Sequence, residues 1–71
     1  MTVMLLCEMK VGEQAVLLAM PTEQVPRALR QGKRVALVMS RPELSVVLAG
    51  DMRYAISGDL ARRIVVVRAP T

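Results

Sequence analysis

The chain contains no histidine, no tryptophan and no phenylalanine; Cys7 is its single cysteine and Tyr54 its single aromatic residue. Each shortage excludes something. Without histidine the commonest general base is missing, and so is the ligand that most mixed zinc sites depend on. One cysteine cannot pair within the chain, which excludes a disulfide-stapled secreted scaffold and fits a reducing compartment. Cys7 itself reads as a small hydrophobe in or beside an apolar strand. Long apolar runs are also missing. The longest, Ala15 to Met20, is far short of the ~20 residues that a helical membrane span needs. Met1 to Cys7 is apolar but carries no basic segment, and Glu8 follows directly. It does not read as a secretory leader, and the expected location is the cytoplasm.

Acids are few and scattered singly, four Glu and two Asp, with no spaced pair for acid–base work. There is no phosphate-binding glycine loop, no dinucleotide fingerprint and no zinc-ligand set. The chain is therefore expected not to be an enzyme, and to carry no catalytic residue, no cofactor and no metal site. Its expected business is binding.

What is present is aliphatic and basic. Hydrophobic residues make up 54% of 71 residues while aromatics make up 1%, so Val, Leu, Ile, Met and Ala must build the core. A chain of this length is expected to form one domain, 1–71, with a thin core. Of the six methionines one is the initiator, and most of the others are expected to fill irregular gaps in the core. The net charge is +4 and arginine supplies eight of the ten cations. That balance suits nucleic acid, phosphate groups or an acidic protein face, and does not choose among them.

The segments read mainly as short strands. Val11-Gly12-Glu13 is a tight turn leading into a strand from Gln14 to Ala19. Before it, Val3 to Cys7 is either a ragged N-terminal strand or an extended arm. Met20-Pro21-Thr22 stops the first strand. Thr22 to Gln31 carries good helix formers, with Thr22 placed to cap and Gly32 to terminate; Pro26 narrows the expected helix to Pro26 to Gln31. Strands follow at Arg34 to Met39, Leu44 to Ala49 and Met52 to Ser57. Ser40-Arg41-Pro42-Glu43 makes the first turn between them, and Gly50-Asp51 a two-residue hairpin loop. Ser57-Gly58-Asp59 opens a helical turn running to Arg63, acid first and arginines last as a helix dipole prefers. Ile64 to Arg68 closes the chain as a strand, ended by Pro70. The expected fold is mainly β: a small SH3-like five-stranded, partly open barrel with one or two short helices, since closure limits exposed sheet edges.

Alternation gives an expected inner face of Val35, Leu37 and Met39, then Leu44, Val46 and Leu48, then Tyr54 and Ile56, then Ile64 and Val66. The opposite face should be polar in an isolated antiparallel domain. Instead it carries Val38, Val47, Ala49, Ala55, Val65 and Val67. Two readings stand, and both can hold in part: the short helix and the N-terminal arm cover part of this face, and some of it stays open as an interface for a partner or a second copy. Val65 and Val67, in the unbroken run Ile64 to Val67, are the sharpest candidates. Arg27, Arg30 and Arg34 lie at helical spacing with Lys33 beside them. They form either a basic ridge for an acidic partner or a solvated face.

Three stretches carry a family resemblance. Lys10-Val11-Gly12-Glu13-Gln14-Ala15-Val16, Tyr54-Ala55-Ile56-Ser57 and Asp59-Leu60-Ala61-Arg62-Arg63-Ile64-Val65-Val66 resemble ferrous iron transport protein A. The first matches a Gly-Glu turn that opens that family's first strand. The last matches its Ala-x-x-Ile-x-Val passage from helical turn to final strand. The middle departs from it: members carry a leucine-rich helix followed by Leu-Gly and Pro-Gly pairs, whereas Arg27 to Val35 has one glycine, Gly32, and no Pro-Gly. The resemblance implies an SH3-like barrel that binds or regulates the membrane GTPase of a bacterial ferrous iron uptake system. It implies no activity of its own and no metal ligands. The same barrel type resembles the C-terminal domain of iron-dependent repressors, without their helix-turn-helix. The rival is a small basic RNA-binding barrel, and Val11-Gly12-Glu13 also faintly resembles the start of the carbon storage regulator. Against RNA stands the want of rings on which single-stranded bases stack.

Overall fold

β-branched residues crowd the extended segments, and the corners between them fall where the chain can reverse cheaply. The computed structural model describes residues 2–21 and 25–69. Its elements are strand β1 (Val3–Leu5), a 3-10 turn (Leu6–Glu8), β2 (Gln14–Ala19), β3 (Arg34–Ser40), β4 (Leu44–Ala49), β5 (Met52–Ser57), helix α1 (Gly58–Ala61) and β6 (Val65–Arg68). All pairings are antiparallel, in one sheet of order β1-β6-β2-β3-β4-β5. The register shifts between Leu17 and Ala19 in β2 and between Leu37 and Met39 in β3. Such bulges bend a strand and raise its twist, and here they curl the sheet into a small, partly open SH3-like barrel. The expected strands number five; the sixth is β1, the first of the two alternatives for the N-terminal segment.

Gly50 sits at φ +64° in the Gly50-Asp51 loop, the left-handed region that a two-residue hairpin requires. The loop pairs Ala49 with Met52, and the register continues unbroken to Leu44 with Ser57. Ser57 then caps α1: its Oγ accepts from the Leu60 N–H at 3.2 Å. Asp59 and Arg62 pair across the turn at 2.6 Å. α1 lies against β4, β5 and the 3-10 turn, closing one end of the barrel. The core runs through Leu6, Val35, Leu37, Val47, Ile56, Ile64 and Val66, all nearly without solvent contact. Met9 is buried, and Met4 and Met20 pack against the core. Cys7 is exposed on the 3-10 turn, not tucked away as a small hydrophobe, because Leu6 takes the inward position of that short turn.

Two expectations are corrected. Strand β4 is turned over: Ser45, Val47 and Ala49 face inward, whereas Leu44, Val46 and Leu48 are only half-buried. Directly opposed residues of an antiparallel pair share a face. Leu37 opposes Val47, and Ile56 opposes Ser45, so the inner face of β3 and β5 dictates that of β4. Val47 and Ala49 thus leave the outer face. The expected helix Pro26 to Gln31 is also absent. That stretch is a pair of tight turns, with Leu29 N–H donating to the Pro26 carbonyl at 2.9 Å and Lys33 N–H to the Arg30 carbonyl at 3.0 Å. Gly32 donates to Leu17 of β2 at 2.8 Å, and buried Leu29 pins the segment to the core. These outside bonds, after a proline that offers no N–H, leave too few residues to propagate a helix. Thr22, the expected cap, and Pro70 lie outside the described residues.

Candidate partner-binding surface

The outer face is built by registration. On β6, Val66 points inward and Val65 and Val67 outward, both half-buried. β1 and β2 flank β6. Val67 stands between Val3 and Val16, and Val65 between Leu5 and Ala19. Val3 is 53% exposed, and Leu5 and Val16 are half-buried. Six apolar residues on three adjacent strands therefore form a patch that no element covers among the described residues. Both readings of this face hold in part: Val3 and Ala19 are exposed, whereas Leu5, Val16, Val65 and Val67 are half-buried.

The patch has a basic border. Val16 opposes Arg34 across the β2–β3 pair, so Arg34 shares the outer face with Val67. Its guanidinium donates to Gln14 Oε1 at 3.2 Å, which holds the charge at the edge of the apolar patch. Ala19 leads from the patch into an open groove of about 500 Å³ lined by Leu18, Met20, Val25, Pro26 and Leu29, with Arg27 and Arg30 on its rim. The structure thus brings Arg34 together with Val65 and Val67. Arg27 and Arg30 sit apart, at the groove, because the segment turns instead of forming a helix and their common face is lost.

Farther along the sheet, the outer face continues through Ala36, Val46, Leu48 and Ala55, joined by the pairs Ala36–Leu48 and Val46–Ala55. Val46 and Leu48 were expected inside. The signal that places them outside is the two-residue loop at Gly50-Asp51: it fixes the pairing of β4 with β5, and Ile56 inside then requires Ser45 and Val47 inside.

For chemistry the surface offers little. Among the described residues no three His, Cys, Asp or Glu side chains group to hold a metal ion, and no buried polar side-chain atom lacks a hydrogen-bond partner. Glu13 is occupied, its carboxylate accepting from Lys10 N–H at 2.7 Å and pairing with Arg68 at 3.1 Å. No helix among the described residues is long and apolar enough to cross a membrane. What the surface can do is bury apolar area and attract acidic groups.

The sequence matches no known family profile, and no curated protein matches it. In three dimensions the chain is similar to the crystal structure of an iron uptake regulatory protein (FeoA), with a TM-score of 0.85 and 25% identity over 97% of this chain and 100% of that one. It is also similar to a manganese-dependent transcriptional repressor, with a TM-score of 0.75 and 16% identity over 94% of this chain and 42% of that one, a likeness of fold alone. The chain is FeoA-like. The resemblance carried by Lys10 to Val16, Tyr54 to Ser57 and Asp59 to Val66 extends to nearly the whole fold.

Proposed function

We propose that this chain is a small cytoplasmic accessory protein of a ferrous iron uptake system, and that it binds and regulates the membrane GTPase of that system. The supporting observation is the end-to-end likeness to an iron uptake regulatory protein, in which this chain and that one each align over nearly their full length. The outer patch of Val65, Val67, Val16 and Val3 supplies the means of docking, since an apolar patch of this kind marks a contact site. Arg34 at its border, with Arg27 and Arg30 at the adjoining groove, steers an acidic face of the GTPase toward it; such charges act on association rate and specificity more than on final affinity.

The RNA-binding alternative lacks a platform. Tyr54, the only ring, packs partly against the core, so no ring stands free to stack a base.

Val65→Asp and Val67→Asp are expected to weaken binding to the cytosolic GTPase domain at least about tenfold, the scale of a central interface residue. Because both side chains are only half-buried, each variant stays folded. Isothermal titration with the GTPase domain, alongside circular dichroism, checks this. Unchanged affinity in both folded variants would remove the patch from the interface.

A further inference from the structure

β1 and β5 are the two outermost strands of the sheet. β1 is three residues long, and shortness is one way in which proteins blunt an edge against unwanted pairing. β5 is six residues long, contains no proline, and runs without a bulge. Its direction of hydrogen bonding is fixed twice over. A two-residue loop makes its closing pair, Ala49 and Met52, a hydrogen-bonded pair, and such pairs alternate along the ladder. At the far end, Gly58 N–H donates to the Glu43 carbonyl at 3.0 Å, which is the same alternation reached from the other side. Tyr54 and Ile56 therefore bond to β4. Arg53 and Ala55 turn both backbone groups away from it, and Ser57 turns its N–H away. All three residues are exposed, and no described residue supplies a backbone partner for those groups.

We propose that a second copy of this chain pairs with β5 along this edge, antiparallel and two-fold symmetric about Ala55. The pattern is self-complementary. With Ala55 opposite Ala55 of the second copy, each donates to the other, and Ser57 N–H meets the Arg53 carbonyl in both directions. The smallest side chain of the exposed set stands on the axis, where two side chains must sit side by side. Arg53 faces Ser57 of the second copy, not another arginine. Four residues of strand separate the two Arg53 side chains, about 14 Å at ~3.4 Å per residue, beyond the screening length of about 10 Å in 0.1 M salt. The +4 charge of each chain thus does not focus on the contact. On the inner side half-buried Tyr54 stands in register with Ile56 of the second copy, which is already buried in its own core. Met52, 59% exposed, flanks the joint. A two-fold contact of this kind closes at two chains and leaves no edge of β5 for a third.

Sedimentation velocity and amide hydrogen exchange test the pairing on the intact chain. The mass is expected to rise from one chain of 7.8 kDa toward two between roughly 10 µM and 1 mM, as suits a small contact. The amides of Ala55 and Ser57 should gain protection over the same range, while Tyr54 and Ile56 are protected throughout. Ala55→Pro removes a donor that faces only the edge, a place where proline is tolerated, and should weaken pairing by about tenfold or more. Ala55→Lys keeps the donor and sets like charges directly opposite; it should weaken pairing as well, and carries the test should Ala55→Pro fail to fold. A mass of one chain throughout, with fast exchange at Ala55 and Ser57, overturns the proposal. So does association that both folded variants leave unchanged, and so does protection of these amides only when a different protein is added.

Discussion

Gly58→Ala lowers the melting temperature by at least about 12 °C, although alanine is the better helix former by roughly 1 kcal/mol. Gly58 does not adopt a left-handed φ, so its backbone suits any residue and the cost is steric alone. A Cβ at this position would overlap the Pro42 carbonyl oxygen and crowd the Pro42 carbonyl carbon and Glu43 Cα. All three are backbone atoms. They cannot rotate aside, and the Gly58 N–H bond to the Glu43 carbonyl holds the two segments together. Overpacking of this severity costs about 3 kcal/mol or more, and each kcal/mol is worth about 4–8 °C in a domain of this size. Thermal unfolding followed by circular dichroism reads it. An unchanged or raised melting temperature would show that the β3–β4 turn can step away from α1 at little cost.

Ala61→Glu leaves no folded protein at room temperature. Ala61 is 1% exposed, on the face of α1 that meets β4, β5 and the 3-10 turn. A carboxylate forced there has no room on the buried face of α1, and a buried charge costs several kcal/mol unless it is paired, which here would require Arg41 or Arg62 from the adjoining cleft. A domain this small has a stability near the low end of about 5–15 kcal/mol, and one such change consumes it. One-dimensional proton NMR separates the outcomes: collapsed amide dispersion is expected, and native dispersion would mean that the glutamate reaches solvent around the end of α1.

The strands, the hairpin loop and the capped turn were legible because each rests on a local rule. β-branched runs extend, Gly50-Asp51 reverses the chain, and Ser57 with Asp59 starts a helix. The orientation of β4 was legible too, but only by combining two rules. Alternation alone favours burying the larger set, Leu44, Val46 and Leu48. The two-residue loop overrides it by tying Ser45 to Ile56, so small Ser45 and Ala49 go inside and the larger side chains stay at the half-open face. Two bulges lay beyond the pattern, since nothing in Leu17-Leu18-Ala19 or Leu37-Val38-Met39 marks where a register will shift. The Arg27 to Gln31 turns were hidden for a similar reason. Helix propensity there is adequate, and the long-range bond from Gly32 to Leu17 wins over it.

The same contrast runs through the candidate surface. Val65 and Val67 are placed by a period-two pattern that survives folding, and they stand together with Arg34. Arg27 and Arg30 were grouped with Arg34 by a helical period that the chain does not adopt. The patch around Val67 is therefore the firmer part of the proposed interface, and the groove arginines are its periphery.

An amide-shift NMR titration of the labelled protein with the cytosolic GTPase domain of a ferrous iron transporter tests the proposed function most directly, with a single-stranded RNA titrated in parallel. Binding to the GTPase through the outer face predicts shifts at Val65 and Val67, at Val16 and Val3 beside them, and at Arg34, with weaker shifts at Arg27 and Arg30 and none on adding RNA. Shifts with RNA alone, fading as salt is raised, would contradict it and assign the function to the arginine charge.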